Sequence, residues 1–252
     1  DFCLSRGLGD VYKRQTPEGR GEELPLPGST EYLYALCPDG AGGAWLLCGS
    51  LPKGYFDAFG NFRFLSQEPE GKLALAHYDA AFALQEIVLL QTLYTDRFFQ
   101  LRRLDGGFCM MSASLLVRLD ETGAETARQS LDAKDGWSFA AMQETDGVLY
   151  ALTRNFYGIE LPELRKFTPD TLSALESDVC TSEITGLGLR ADGRLLMGNS
   201  EELFAYDTGS GETETLVRWQ EIGANVLTEQ PWELEDGYLL FSPGDTSLQR
   251  LR

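Results

Sequence analysis

The sequence is poor in the residues from which most catalytic and metal sites are built. Its 252 residues include one histidine, His77, and five cysteines, none of them spaced as Cys-x-x-Cys. A Ser-His-Asp or Cys-His arrangement would have to be built on His77 alone, which reads instead as a partly exposed residue at the end of a strand. The same scarcity excludes structural zinc, for which several thiolate or imidazole ligands must converge. Apolar runs of the ~18 to 20 residues that a membrane-spanning helix requires are missing. So are long stretches of helical period with caps, and almost no helix is expected. Basic residues are few: 21 against 39 acidic ones give a net charge of −18. Such a charge repels phosphate backbones and excludes nucleic acid as a partner.

Glycine-containing turns, in contrast, recur along the chain. Asp-Gly pairs stand at Asp39-Gly40, Asp105-Gly106, Asp146-Gly147, Asp192-Gly193 and Asp236-Gly237. Three of the four intervals are close to the length of one propeller blade, roughly 45 residues. The first interval becomes regular if residues 50–71 are an insertion. Asp-Gly favours tight type I′ hairpins, because both central positions need φ > 0. A short apolar run follows each pair: Ala44 to Cys48, Phe108 to Met111, Val148 to Leu152, Leu195 to Met197 and Tyr238 to Phe241. Runs this short and apolar suit strands covered on both faces. A further strand is expected after each, at Leu73 to Tyr78, Leu115 to Leu119, Leu164 to Phe167, Leu203 to Tyr206 and Leu248 to Leu251.

The stretch from Ile184 to Trp219 reads as one complete four-stranded meander. Its outer strand is expected to alternate, with Thr213, Thr215, Val217 and Trp219 on one face. The fold class is therefore all-β: a β-propeller of four-stranded antiparallel blades, about five of them, forming an incomplete arc of a larger propeller. The fifth repeat ends after its third strand. Glu22 to Leu26 offers a strand that would close a five-bladed ring, with Pro25 and Pro27 tolerated on an outer edge.

Ala191-Asp192-Gly193-Arg194-Leu195-Leu196-Met197-Gly198, continuing to Phe204-Ala205-Tyr206-Asp207, resembles repeats of the two-component-regulator and quinoprotein-like propellers (WD40/YVTN-like architecture). Those families usually carry Trp in the second strand, which only Trp45 supplies here. Leu216 to Gln220, Ile222 to Val226 and Leu234 to Gly237 resemble propeller regions that precede solute-binding domains in gut Firmicutes lipoproteins, as does Glu23 to Pro27 with Tyr32. Residues 5–15 resemble a translated sequencing-library adapter. Residues 1–15 are accordingly set aside as artefactual or disordered, and 16–252 is taken as the propeller domain.

Other motifs read as structure. Asp207-Thr208-Gly209 matches the aspartic-protease tripeptide, but that chemistry needs two carboxylates sharing a proton, and Asp245-Thr246-Ser247 lacks the glycine. A turn between strands is the better reading. Glu201-Glu202 and Glu22-Glu23 would serve a glycosidase only across a cleft of ~5 to 9.5 Å, so solvated surface is the default. Cys48 and Cys109 fall in second strands and read as small buried hydrophobes. Cys37 and Cys180 add no metal spacing, and Gly186-Leu187-Gly188 lacks the third glycine of a dinucleotide site. No catalytic residue, metal or cofactor is expected.

The richest irregular segment is the insertion, with Tyr55, Phe56, Phe59, Phe62 and Phe64 in close succession. Aromatics at this density either pack the insertion down or form a stacking platform. A smaller insertion, Arg154 to Glu163, carries Phe156 and Tyr157 at the same place between second and third strands. Tyr55, Phe56, Phe59, Phe156 and Tyr157 are therefore the candidate ligand-binding residues. The expected function is a non-catalytic module binding a small molecule, glycan or protein partner. It would belong to a secreted or surface-anchored bacterial protein whose signal sequence is missing from the fragment. The lipoprotein resemblance implies fusion to the solute-binding domain of an ABC transporter. The alternative is the sensor propeller of a membrane two-component regulator, and a quinoprotein-like or lyase enzyme comes third.

Overall fold

The structure, a computed structural model, describes residues 12–15, 21–24, 32–49, 54–56, 62–64, 73–94, 96–131, 136–155, 157, 160–180, 183–222, 230–234, 237–242 and 247–251. It is all-β and built of blade-type sheets, with four four-stranded antiparallel sheets and a fifth of three strands. The first blade is β3 (Tyr32–Pro38), β4 (Ala44–Gly49), β7 (Leu73–Tyr78) and β8 (Leu84–Leu89), in that order. The second is β9 (Gln100–Leu104), β10 (Gly107–Met111), β11 (Leu115–Asp120) and β12 (Glu125–Ser130). The third is β13 (Trp137–Thr145), β14 (Val148–Asn155), β15 (Glu163–Phe167) and the short β16 (Asp178–Val179). The fourth is β17 (Gly186–Leu189), β18 (Leu195–Gly198), β19 (Glu202–Tyr206) and β20 (Thr213–Arg218). The fifth is β21 (Gln230–Leu234), β22 (Gly237–Ser242) and β23 (Ser247–Leu251).

In blades one, two and four burial falls from the inner strands to the outer one. Every residue of β10 and β18 is buried, whereas β8 and β20 are mostly exposed and β12 alternates. The apolar second strands thus find cover on both faces, as their composition requires. Chain contacts divide the molecule into two compact units, one comprising Phe2–Ser112 with Val117–Thr126, the other Ala113–Leu116 with Ala127–Arg252. In the first unit the leading strands β3 and β9 of successive blades lie side by side. In the second unit β13 neighbours β17, and β17 neighbours β21. Leu152 and Leu164 of blade three pack with Leu187, Leu195 and Met197 of blade four. Burial of each such side chain stabilises by about 1.5 to 3 kcal/mol.

The turns differ from the expected uniform type I′. Among the pairs described in full, only Asp146 (φ 53°) and Gly147 (φ 72°) both take positive φ, closing β13 onto β14 with two residues. At Asp39 the hairpin is longer, and the carboxylate itself organises it: Oδ1 accepts from the N–H groups of Ala41 and Gly43 at 2.8 Å. The Asp105-Gly106 hairpin is closed by buried Arg118, which donates to the carbonyls of Asp105, Phe108 and Leu119. A second family of turns, between third and fourth strands, uses the same device. Asp79, Asp120 and Asp207 each accept two backbone N–H groups of their own loop, and Thr168 accepts that of Ser173. These are Asx and ST turns.

Two further sheets have two strands each. Tyr12–Gln15 (β1), inside the segment set aside, pairs with Gly21–Leu24 (β2) in a two-stranded sheet, so β2 has a partner other than the fifth blade. Gly54–Phe56 (β5) and Phe62–Phe64 (β6) form a hairpin between β4 and β7. The alternation expected along the outer strand of blade four is broken. A register shift between Leu203 and Phe204 leaves Leu216 as an extra residue, and Trp219 ends up 2% exposed at the start of a 3₁₀ turn, Trp219–Ile222. A bulge reverses which side chains face inward. Among the described residues no helix is long and apolar enough to cross a membrane.

Candidate functional site

The turns between second and third strands place the candidate site on one edge of blades three and four. In blade three, β14 ends at Asn155, whose Oδ1 accepts the N–H of Tyr157 at 2.9 Å. The Tyr157 ring lies against Gly136, where an added Cβ would come within 2.4 Å of it. At φ 73° that glycine is in the left-handed region, so both conformation and space exclude a side chain there. Tyr157 is nonetheless 69% exposed, a held aromatic ring facing solvent. Close by, Trp137 pairs with Asn155, and the Arg165 guanidinium lies 5.6 Å from the Trp137 ring centroid. Arg165 Nε also meets Glu163 Oε2 at 3.0 Å. A cleft of about 140 Å³ opens here, lined by Gln129, Phe139, Glu163, Arg165 and Lys166 among others.

Hydrogen bonds carry this edge into blade four. An Arg154 Nη2 donates to the carbonyl of Thr185, whose own N–H and hydroxyl both donate to the carbonyl of Gly198. The next residue, Asn199, is buried and builds the following turn. Its Oδ1 accepts from the N–H groups of Glu201 and Glu202, each at 2.8 Å, and its carbonyl accepts from Trp219 Nε1 at 2.9 Å. The Trp219 backbone N–H donates to Glu201 O. Around this frame lies a cavity of about 650 Å³, lined by Ser200, Glu201, Glu202, Arg218, Trp219 and Gln220. Its volume is in the range of small-ligand sites.

Of the sequence candidates, Tyr157 is the one whose side chain is described. Tyr55 and Phe56 fall in β5, with their side chains outside the described set, and Phe59 and Phe156 lie outside the described residues. The structure adds Asn199, Arg218 and Trp219. Asn199-Ser200-Glu201-Glu202 resembles an ordinary polar turn in sequence, and no signal there announces the cavity.

The titratable groups elsewhere are tied into the fold. His77 Nε2 meets Asp39 Oδ2 at 2.9 Å, and the imidazole stacks on Trp45 with centroids 4.5 Å apart and planes 6° from parallel. The His77 hydrogen bond, with backbone N–H groups, holds the Asp39 carboxyl below its ordinary range. Cys48 and Cys109 are fully buried. Desolvation pushes the Cys109 thiol up to about 12 and that of Cys37 to about 11, so neither supplies a thiolate near neutrality. Cys37, Cys48, Cys109 and Cys180 form no disulfide. Among the described residues no three His, Cys, Asp or Glu side chains are grouped to hold a metal ion.

No family model matches the sequence, and no curated protein matches it. Solved structures do. The computationally designed protein Ika8 aligns with TM-score 0.53 at 13% identity, over 93% of this chain and 65% of its own. A protein of unknown function from Bacteroides caccae gives 0.54 at 13% identity, over 93% and 80%. The extracellular domain of the one-component system BT4673 of B. thetaiotaomicron gives 0.50 at 13% identity, over 97% of this chain and 38% of that one. The likeness is one of fold alone. This chain thus spans just under two thirds of the first structure and well under half of the third.

Proposed function

We propose that the chain is a non-catalytic recognition module that takes a small polar ligand or partner on the second-to-third-strand edge of blades three and four. The observation that carries this reading is the 650 Å³ cavity of blade four, hydrogen-bonded through Thr185 to the blade whose edge exposes Tyr157. A concavity of ligand-sized volume with a few placed polar groups and an aromatic in its lining, here Trp219, is what binding sites share. Commitment of His77 to Asp39 and Trp45, and of the buried thiols to the core, supports a module without chemistry of its own. We further propose an extracytoplasmic setting in a secreted or surface-anchored bacterial protein, on the resemblance to propeller regions ahead of solute-binding domains. A second reading, the ligand-detecting domain of a membrane sensor, is favoured by the fold likeness to the extracellular domain of a one-component system.

Thermal-shift screening of the protein against amino acids, peptides and sugars tests the binding reading. A ligand that raises the melting temperature of the parent, with the rise lost in Tyr157→Ala or Arg218→Gln, is the expected result. A hit unaffected by both variants places binding elsewhere and sinks the assignment of this edge. Sequencing the native gene beyond both ends separates the two settings. A solute-binding domain supports the first, and a membrane helix followed by a signalling domain supports the second.

A further inference from the structure

The charges around the blade-four cavity are specific enough to name a ligand class, and this step rests on the binding reading above. Two carboxylates and one guanidinium share the wall: Glu201, Glu202 and Arg218. Glu202 is partly buried and oriented, because Thr215 Oγ1 donates to its Oε2 at 2.9 Å. Arg218 Nε stands 3.7 Å from the same oxygen, an ion-pair distance too long for a hydrogen bond. The guanidinium, 63% exposed, therefore keeps its planar set of donors for another acceptor. Glu201 is exposed, and its backbone is fixed by Asn199. The Trp219 indole, of a residue that also lines the cavity, is locked by Asn199 with its polar atom already used.

A simple anion would meet two carboxylates here, on a protein of net charge −18. A simple cation would meet Arg218. One molecule carrying both signs satisfies all three groups, since a carboxylate matches the guanidinium fork and an ammonium matches the glutamates. We propose that this cavity binds a zwitterion of the amino-acid or short-peptide class, its carboxylate on Arg218 and its ammonium between Glu201 and Glu202.

The test uses the full chain, with the twenty amino acids and L-alanyl-L-alanine as probes, followed by N-acetylated and C-amidated forms of whichever binds. Isothermal titration calorimetry is expected to show each capped form binding about tenfold weaker or worse, the scale of losing one charge-assisted hydrogen bond. Arg218→Gln should then bind free and amidated forms alike, while the double variant Glu201→Gln/Glu202→Gln should no longer distinguish the acetylated form. Melting temperatures near the parent's establish that both variants fold. Capped and free forms binding the parent equally would overturn the zwitterion, as would unchanged discrimination in the variants. A panel of neutral sugars is titrated in parallel. Sugar binding sensitive to Tyr157→Ala, without any amino acid or dipeptide binding, overturns the ligand class and leaves the recognition edge standing. Silence from both panels overturns the two together.

Discussion

Two tryptophans, Trp45 in blade one and Trp219 in blade four, sit among similar neighbours and yield opposite outcomes. Both are almost fully buried, and each has an arginine and a carboxylate close by. Around Trp45 the groups close on one another. His77 stacks on one ring face and bonds Asp39, Phe108 meets the ring edge-on at 4.8 Å, and the Arg103 guanidinium lies 5.5 Å from its centroid. Around Trp219 the hydrogen bonds are made by the Asn199 turn, and the charged side chains meet only in the 3.7 Å ion pair of Arg218 and Glu202 beside a cavity. Similar residue types give a structural rivet in one place and an open site in the other. What differs is how tightly the charged groups close on one another, at 2.9 Å between His77 and Asp39 and at 3.7 Å between Arg218 and Glu202.

The contrast is tested most strongly at the rivet. Trp45→Ala should destabilise the protein by about 3 to 5 kcal/mol, the range for deleting a buried large aromatic, read as a lowered denaturant midpoint. A loss below about 1 kcal/mol would show that the stack contributes little. Next in size is Asn199→Ala, which strands the N–H groups of Glu201 and Glu202. A loss of about 1 to 3 kcal/mol is expected, together with loss of any ligand response at the cavity. A normal response would mean that the turn is not what shapes the site.

The smallest effect is acid sensitivity. The Asp39 carboxyl lies below its unfolded value, so its contribution is complete above the ordinary carboxylate range and disappears as pH falls through the folded value. Replacing it, as Asp39→Asn, should flatten the acid limb of a stability-against-pH curve and leave the neutral region's slope unchanged. An identical acid limb would remove Asp39 from the set of linked groups. Asp120, Asp192 and Asp207, also lowered by hydrogen bonds from Thr122, Arg194 and Ser210, would then carry it.

The blades were legible because their signals are local. Leu73–Tyr78 is a strand with the bounds that its apolar run suggests, and the second strands are buried on both faces as their composition demands. The turn types were not, since whether an Asp-Gly pair forms a two-residue hairpin depends on where neighbouring strands end. Asp39 shows this, its carboxylate spanning a loop that the dipeptide alone does not define. Of the aromatic candidates, Tyr157 is the one whose side chain is described, and it is exposed on its turn, an aromatic where polar turn residues are usual. Glu202 and Arg218 meet because β19 pairs with β20 across a bulge, and a bulge leaves no mark in a pattern of alternation. His77 read as a strand residue, and its partner Asp39 lies far away in sequence.

The turns between third and fourth strands have a consequence for how the chain comes together in time. At Asp79, Asp120 and Asp207 the carboxylate bonds backbone N–H groups no more than four residues ahead, and Thr168 reaches one five ahead. Closing so short a loop sacrifices little chain entropy and requires nothing from elsewhere in the molecule. A blade's outer hairpin can therefore set its register as soon as its own residues leave the ribosome, within the microseconds typical of hairpins. The slow part of assembly is then the laying of one finished blade against the next, and a chain of such repeats can gain or lose a blade without having to learn a new way to fold.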